Sequence, residues 1–183
     1  AMDAEVLLLD RSPQRLRSLE AQRRGRLVSL VSSRGLIERV VPTADLLIGA
    51  VLTPGGRAPT LVDEQLVKQM RPGSVIVDVA IDQGGCIATS EETTHTEPVL
   101  EKFGVQHYAV GNMPGAVPFT STEALVSVTL PYIVTIAGRG LSEAVTERPE
   151  LLSGLNTIEG SVCHPGVAKA LGLTPRHPMA CLR

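Results

Sequence analysis

The sequence predicts an α/β protein built on a doubly wound parallel sheet. Two observations carry this expectation: short runs rich in Val, Ile and Leu recur along the chain, and helical or loop segments separate them. A third is the composition. With 183 residues, 43% of them hydrophobic and 20% charged, the chain is long enough to bury a core and lies outside the disordered and low-complexity classes.

The apolar runs are Glu5 to Leu9, Leu27 to Ser32, Asp45 to Val51, Ser74 to Val79 and Gln106 to Val110. Between the first two, Pro13 to Arg24 reads as a helix, with proline at its start and Leu16 and Leu19 spaced for one buried face. Asp63 to Met70 reads as a second helix, stopped by Pro72-Gly73. After Val110 the rhythm changes. Asn112-Met113-Pro114-Gly115 is a loop, and Ser121 to Ala137 reads as one long apolar helix with Ser121 or Thr122 at its N-cap. A helix apolar around most of its circumference is expected to be buried between bodies, connecting domains or contacting subunits, and Pro131 is expected to kink or break it. From Leu141 onward the reading is short helical turns punctuated by proline, with no strand. The expected division is therefore a sheet domain over 1–120, and a connecting helix with a helical C-terminal part over 121–183.

Several function classes are disfavoured. A net charge of −2 and only four aromatic residues argue against a nucleic-acid binder, which needs a basic face and stacking rings. The longest apolar stretch, Leu125 to Ala137, is interrupted by Ser127, Thr129, Pro131 and Thr135 and falls short of the roughly 20 residues that span a bilayer, so no membrane association is expected. Cys86, Cys163 and Cys181 are odd in number and widely spaced, which suits free thiols in a reducing compartment and gives the expectation of a cytoplasmic protein. Cys163-His164 lacks zinc-ligand spacing, and no metal is expected. His95, His107, His164 and His177 are scattered, and none stands out as a proton carrier.

In an open parallel sheet, ligands sit beyond the carboxyl ends of the strands. Asp10 ends the first run. An acid at the end of the second strand of a dinucleotide fold accepts the adenosine ribose hydroxyls and repels a 2′-phosphate, selecting NAD over NADP; the alternative is that Asp10 caps the helix beginning near Pro13. Arg15 lies near that helix's first turns, against an adenine or Asp10, or simply in solvent within an Arg-rich stretch. Ser32 and Ser33 are either adenine-edge donors or turn hydroxyls. Val51 and Leu52 follow the third strand in a small-residue bend that lets a flat ligand approach, although the glycines at 55 and 56 also fit a plain turn. Asp82 falls just past the fourth strand, where a carboxylate faces a bound ribose or a reacting centre, or else forms a turn with Gln83-Gly84-Gly85. Cys86 has no activating partner in local register and reads as a small packed residue.

Three blocks carry a family resemblance: Asp45-Leu-Leu-Ile-Gly-Ala-Val-Leu-Thr-Pro-Gly-Gly-Arg-Ala-Pro59, Val75-Ile-Val-Asp-Val-Ala-Ile-Asp-Gln-Gly-Gly-Cys86, and Gly111-Asn-Met-Pro-Gly-Ala-Val-Pro118 with Thr120-Ser-Thr122. They closely resemble the C-terminal half of alanine dehydrogenase, and the resemblance continues through Gly154-Leu-Asn-Thr157 and His164-Pro-Gly-Val-Ala168. It implies NAD as cofactor, oxidative deamination of L-alanine to pyruvate and ammonium, and a homohexamer of two-domain subunits. By the matching motifs, Asp10 is the ribose-binding acid, and Arg15, Ser32, Val51 and Leu52 are adenosine-side contacts. Val79 and Asp82 fall at the nicotinamide riboside, with Asp82 the acid implicated in catalysis, and Asn112 and Met113 match the loop beside nicotinamide and substrate.

The NAD domain of proton-translocating transhydrogenase shares some blocks, but Ala80-Ile-Asp-Gln-Gly-Gly-Cys86 and the Asn112 loop look like the dehydrogenase versions. Phe119 stands where the family usually has Arg, and Ile158 where a His commonly follows Asn-Thr. The family's N-terminal half carries the substrate-binding Arg and Lys and the catalytic His, and none of these can be assigned here. Also missing are the first strand and its Gly-x-Gly-x-x-Gly loop, whose amides hold the pyrophosphate. In the strand order 3-2-1-4-5-6 that loss leaves two central edges unpaired. The expectation is thus a segment of a longer polypeptide or a truncated product, inactive alone. The alternatives are a non-catalytic copy that persists as an assembly partner, or a stand-alone NAD-binding module.

Overall fold

The computed structural model describes residues 4–22 and 27–182. Strand β1 (Val6–Asp10) leads through α1 (Pro13–Gln22) to β2 (Leu27–Val31), and the two strands pair in parallel from Val6 opposite Leu27 to Asp10 opposite Val31. The expected end of α1 at Arg24 lies outside the described residues. Helix α2 (Arg34–Val40), not foreseen, follows at once, capped by Ser33, whose Oγ accepts from the Leu36 amide. A 3-10 turn then leads into β3 (Leu46–Gly49).

Helix α3 (Glu64–Val67) is shorter than the Asp63 to Met70 expected, with Asp63 outside it as the N-cap, accepting from the Leu66 amide at 2.9 Å. It brings Leu66 and Val67 onto the sheet formed by β3, β4 (Val75–Asp78), β5 (Val99–Lys102) and β6 (Val105–Tyr108), in the order β3-β4-β6-β5. The β3–β4 and β4–β6 pairs are parallel. Val67, Ile76 and Val105 are fully buried, with Val41, Met70, Cys86 and Ile87 around them, so the main core lies on this sheet. Strand β5, which the apolar pattern did not reveal, is an antiparallel edge joined to β6 by Phe103-Gly104. Both turn residues have positive φ (56° and 75°), the geometry of a tight two-residue hairpin.

The sheet is in two pieces. β1 pairs with β2 and β3 with β4, but no pairing joins β1 to β3, so the gap falls where a first strand is expected. Apolar side chains on these two strands stand exposed, Val6 at 45% and Ile48 at 58%.

The long helix, α4 (Pro118–Glu147), departs from expectation in four respects. It begins with Pro118 at its first position, and Ser121 is inside it, donating from Oγ to the Pro114 carbonyl at 2.9 Å rather than capping. The backbone stays helical through Pro131 and breaks at Gly140, whose φ of 76° and ψ of 166° divide it. The apolar stretch belongs to 30 helical residues, long and apolar enough by length and composition to cross a bilayer, a test that a helix covered by another protein body also passes. Finally, its apolar residues are uncovered rather than buried, with Leu125 and Val128 each 62% exposed, because none of the described residues packs on that side.

The C-terminal part is not wholly helical. A hairpin of β7 (Thr157–Ile158) and β8 (Ser161–Val162) turns on Glu159-Gly160, again with two positive φ values, and leads to α5 (Pro165–Leu171). Ile158, Cys163 and Cys181 form a small second core.

Candidate functional site

The parallel strands present their carboxyl ends on one edge of each sheet piece, and the sequence-predicted residues collect there. On the β1–β2 piece, Asp10 ends β1, and its carbonyl accepts from the Ser32 amide at 2.9 Å. The Asp10 carboxylate does not cap α1 directly. Its Oδ1 accepts from the Ser12 amide at 2.7 Å, and Ser12 Oγ in turn accepts from the Arg15 amide at 3.3 Å, so serine is the cap and Asp10 braces it. Oδ2 of Asp10 has no hydrogen-bond partner among the described residues. Arg15 is exposed on the first turn of α1, with no hydrogen bond to Asp10 among the described residues.

On the larger piece, Asp78 at the end of β4 organises the following loop. Its buried carboxylate accepts from the amides of Ala80 (3.2 Å), Cys86 (3.0 Å) and Ile87 (3.1 Å), folding Val79 to Cys86 back onto the strand. The thiol of Cys86 donates to the same carboxylate at 3.5 Å. Burial first, and then the Asp78 charge, push that thiol up to about 12, so it stays protonated and unreactive near neutrality. Cys86 is the packed residue that the sequence implied.

The loop so tied contains the 3-10 turn Val79–Gln83, closed by Gly84 in the left-handed conformation. It projects Val79, 47% exposed, and the exposed carboxylate of Asp82 beyond the strand ends. Gln83 ties it to the loop after β3: its Oε1 accepts from the Thr53 amide at 3.2 Å and its carbonyl from the Ala58 amide at 2.9 Å. This places Val51, half-buried against the core, and Leu52, 74% exposed, beside the same edge.

The loop after β6 completes the group. Asp82 Oδ1 accepts from the Asn112 amide at 3.0 Å, joining segments 30 residues apart. Asn112 is left-handed (φ 53°, ψ 54°) and opens the 3-10 turn Met113–Ala116. With Oδ1 so engaged, Asp82 Oδ2 has no hydrogen-bond partner among the described residues. The structure thus brings Val51, Leu52, Val79, Asp82, Asn112 and Met113 together on one edge and sets Asp10, Ser32 and Arg15 on the other piece. Three residues that sequence reasoning passed over shape this edge: Asp78, hidden in an apolar run; Gln83, read only as part of a turn; and His95, whose Nε2 lies 3.1 Å from the Asn112 carbonyl. No short spacing signals any of them.

These features fit a dinucleotide: an acid with a spare oxygen at one strand end, uncovered apolar surface at Leu52 and Val79, and a second carboxylate at the other end. Among the described residues, no group of three or more His, Cys, Asp or Glu forms a metal-binding cluster.

Comparisons with known proteins agree. Residues 1–165 match the family model described as alanine dehydrogenase/PNT, C-terminal domain. The chain is 54% identical over 170 residues to an alanine dehydrogenase of Methanococcus maripaludis and 52% identical over 172 residues to one of Bacillus subtilis, covering 92% and 93% of this chain and 46% of each relative. The chain therefore spans just under half the length of these relatives. Among solved structures it superposes on an L-alanine dehydrogenase with a TM-score of 0.77 and 51% identity, covering 92% of this chain and 46% of the other. On a transhydrogenase from Sinorhizobium meliloti the values are 0.60 and 26%, covering 88% and 43%. A family match over residues 1–165, most of the chain, on the fold shared with these solved structures means that this chain belongs to the alanine dehydrogenase/PNT C-terminal domain family.

Proposed function

We propose that this chain is the cofactor-side part of an NAD-dependent enzyme that converts L-alanine, NAD+ and water to pyruvate, NADH, ammonium and a proton, completed by a second part of the kind its full-length relatives carry. The observation that supports this best is the Asp82–Asn112 hydrogen bond, which fixes a carboxylate between the ends of β4 and β6 with one oxygen left for a ligand. When bound, NAD supplies the hydride acceptor.

Asp10 accepts the adenosine ribose hydroxyls through Oδ2, with Arg15, Ser32, Val51 and Leu52 along the adenosine side. Val79 lies against the nicotinamide riboside, and Asn112 and Met113 border the nicotinamide and the substrate. Asp82 Oδ2 favours the positive charge that builds on the substrate nitrogen as its neighbouring C–H bond breaks. The second part supplies the groups that hold the alanine carboxylate and move its protons, together with the strand between β1 and β3. The uncovered face of α4 is an oligomer or interdomain contact, and the free, buried thiols suit the cytoplasm. The higher identity and TM-score to alanine dehydrogenase favour this reading over the transhydrogenase one.

The test is Asp82→Ala in the complete enzyme. Turnover is expected to fall about a hundredfold, with NADH affinity retained within a few-fold. Unchanged turnover removes the catalytic assignment of Asp82.

A further inference from the structure

Asn112 is held from both of its peptide groups. Its amide donates to Asp82, while its carbonyl accepts from the Gly115 amide at 2.8 Å and meets Nε2 of His95 at 3.1 Å. A left-handed conformation disfavours a side-chain-bearing residue, asparagine least among them, so this turn persists where its surroundings fix both φ and ψ.

His95 is well placed to do so. It sits in the turn from Thr94 to Glu97, closed by the Glu97 amide on Thr94 Oγ1 at 3.1 Å and the Thr94 amide on the Glu97 carbonyl at 3.3 Å. Thr93 anchors that turn to the chain after β6: its amide donates to the Ala109 carbonyl at 2.9 Å and its carbonyl accepts from the Gly111 amide at 3.2 Å. The imidazole is thus carried on a braced turn beside the very segment it contacts. A Cβ on Gly115 would lie 3.3 Å from His95 Nε2 and 3.2 Å from Asn112 Nδ2, so glycine leaves room for both side chains.

We propose that His95 is a positioning residue for the reaction: by donating from Nε2 to the Asn112 carbonyl it fixes the Asn112–Ala116 turn and, through the Asn112 amide, the Asp82 carboxylate. This rests on the reading of Asp82 and Asn112 given above. A carbonyl only accepts, so Nε2 carries a hydrogen, as it does in the imidazolium and in one neutral tautomer. The terminal amide of glutamine offers a donor at a similar reach, and alanine offers none.

The experiment compares His95→Ala, His95→Gln and Asp82→Ala in the complete enzyme, measuring kcat, KM for NAD, NADH affinity by nicotinamide fluorescence, and Tm. For His95→Ala, kcat is expected to fall about tenfold as the turn shifts, with KM for NAD within about twofold because the adenosine-side contacts are untouched. His95→Gln is expected to recover most of kcat. Because His95 is exposed, Tm should not move. Wild-type kcat in His95→Ala alongside an impaired Asp82→Ala overturns this proposal alone. Wild-type kcat in both overturns the reading beneath it. Equal impairment in the alanine and glutamine variants with a lowered Tm assigns His95 a purely structural role and overturns the proposal as well.

Discussion

Gly49, the last residue of β3, rests directly on the thiol of Cys86: a methyl group added at Gly49 would overlap Sγ, and it would also lie 3.5 Å from Asp78 Oδ1. The close approach lets the loop closed by Asp78 lie flat against the neighbouring strand. Gly49→Ala is therefore expected to destabilise the protein by about 1–3 kcal/mol through overpacking. Cys86→Ala in the same chain should restore part of that loss, since it removes the atom being struck. Urea denaturation of the two single variants and the double variant checks the coupling, and strictly additive losses would show that the two sites do not meet.

A second prediction concerns pH. His107 is buried, with Nδ1 donating to the Val105 carbonyl at 2.9 Å and Nε2 accepting from Thr89 Oγ1 at 2.7 Å, a pairing that uses the neutral ring. Burial, assisted by the charge of Lys102, pushes its pKa down from 6.5, while its bond to Val105 and the Asp78 charge oppose this. Below about pH 6.5 the unfolded chain takes up a proton there that the folded chain refuses. Stability should fall as pH drops from that point, with a slope of at most about 1.4 kcal/mol per pH unit, until the folded ring also titrates. His107→Gln should flatten this part of the stability curve, measured by urea midpoints between pH 7 and pH 5. An unchanged slope would assign the effect to other groups.

The uncovered face of α4 yields a third. Leu125, Val128, Ile133 and Val134 are each about 60% exposed, so α4 presents large apolar side chains to solvent around much of its circumference, the kind of surface that marks an interaction site. The chain produced by itself should self-associate with rising concentration, and Ile133→Glu with Val134→Glu should shift it towards smaller species in sedimentation velocity. In the complete enzyme the same pair should disturb assembly. A monomer at high concentration before any substitution would show that this surface is not adhesive.

The strand-end placement of Asp10, Asp82 and Asn112 was legible because each follows an apolar run closely, and such runs are what a buried parallel sheet demands of a sequence. The five parallel strands were legible for the same reason, with ends displaced by a residue or two. What escaped was structure without a local signal. The turns Phe103-Gly104 and Glu159-Gly160 lack the Asn-Gly or Asp-Gly pair that marks a tight hairpin, so β5 and the β7–β8 hairpin went unread. The start of α4 escaped because Pro118 occupies the first turn without a side-chain cap, which left Ser121 and Thr122 as the visible signal. Asp78 was masked by the strand that carries it, and His95 meets Asn112 across 17 residues, a distance no spacing rule reads.

The divided sheet makes stability uneven along the chain. Ile76 of β4 lies between strands on both sides and is wholly buried, whereas among the described residues β1 has β2 as its single neighbouring strand, and α1, which joins the two, buries only Leu16. Amide protons of β4 should therefore exchange with solvent only when the whole sheet opens, and those of β1 should exchange through local opening. Once a strand occupies the gap, β1 gains a second ladder and its exchange should slow by orders of magnitude while that of β4 changes little. The β1 amides are consequently a direct reporter of whether a further strand has docked between β1 and β3.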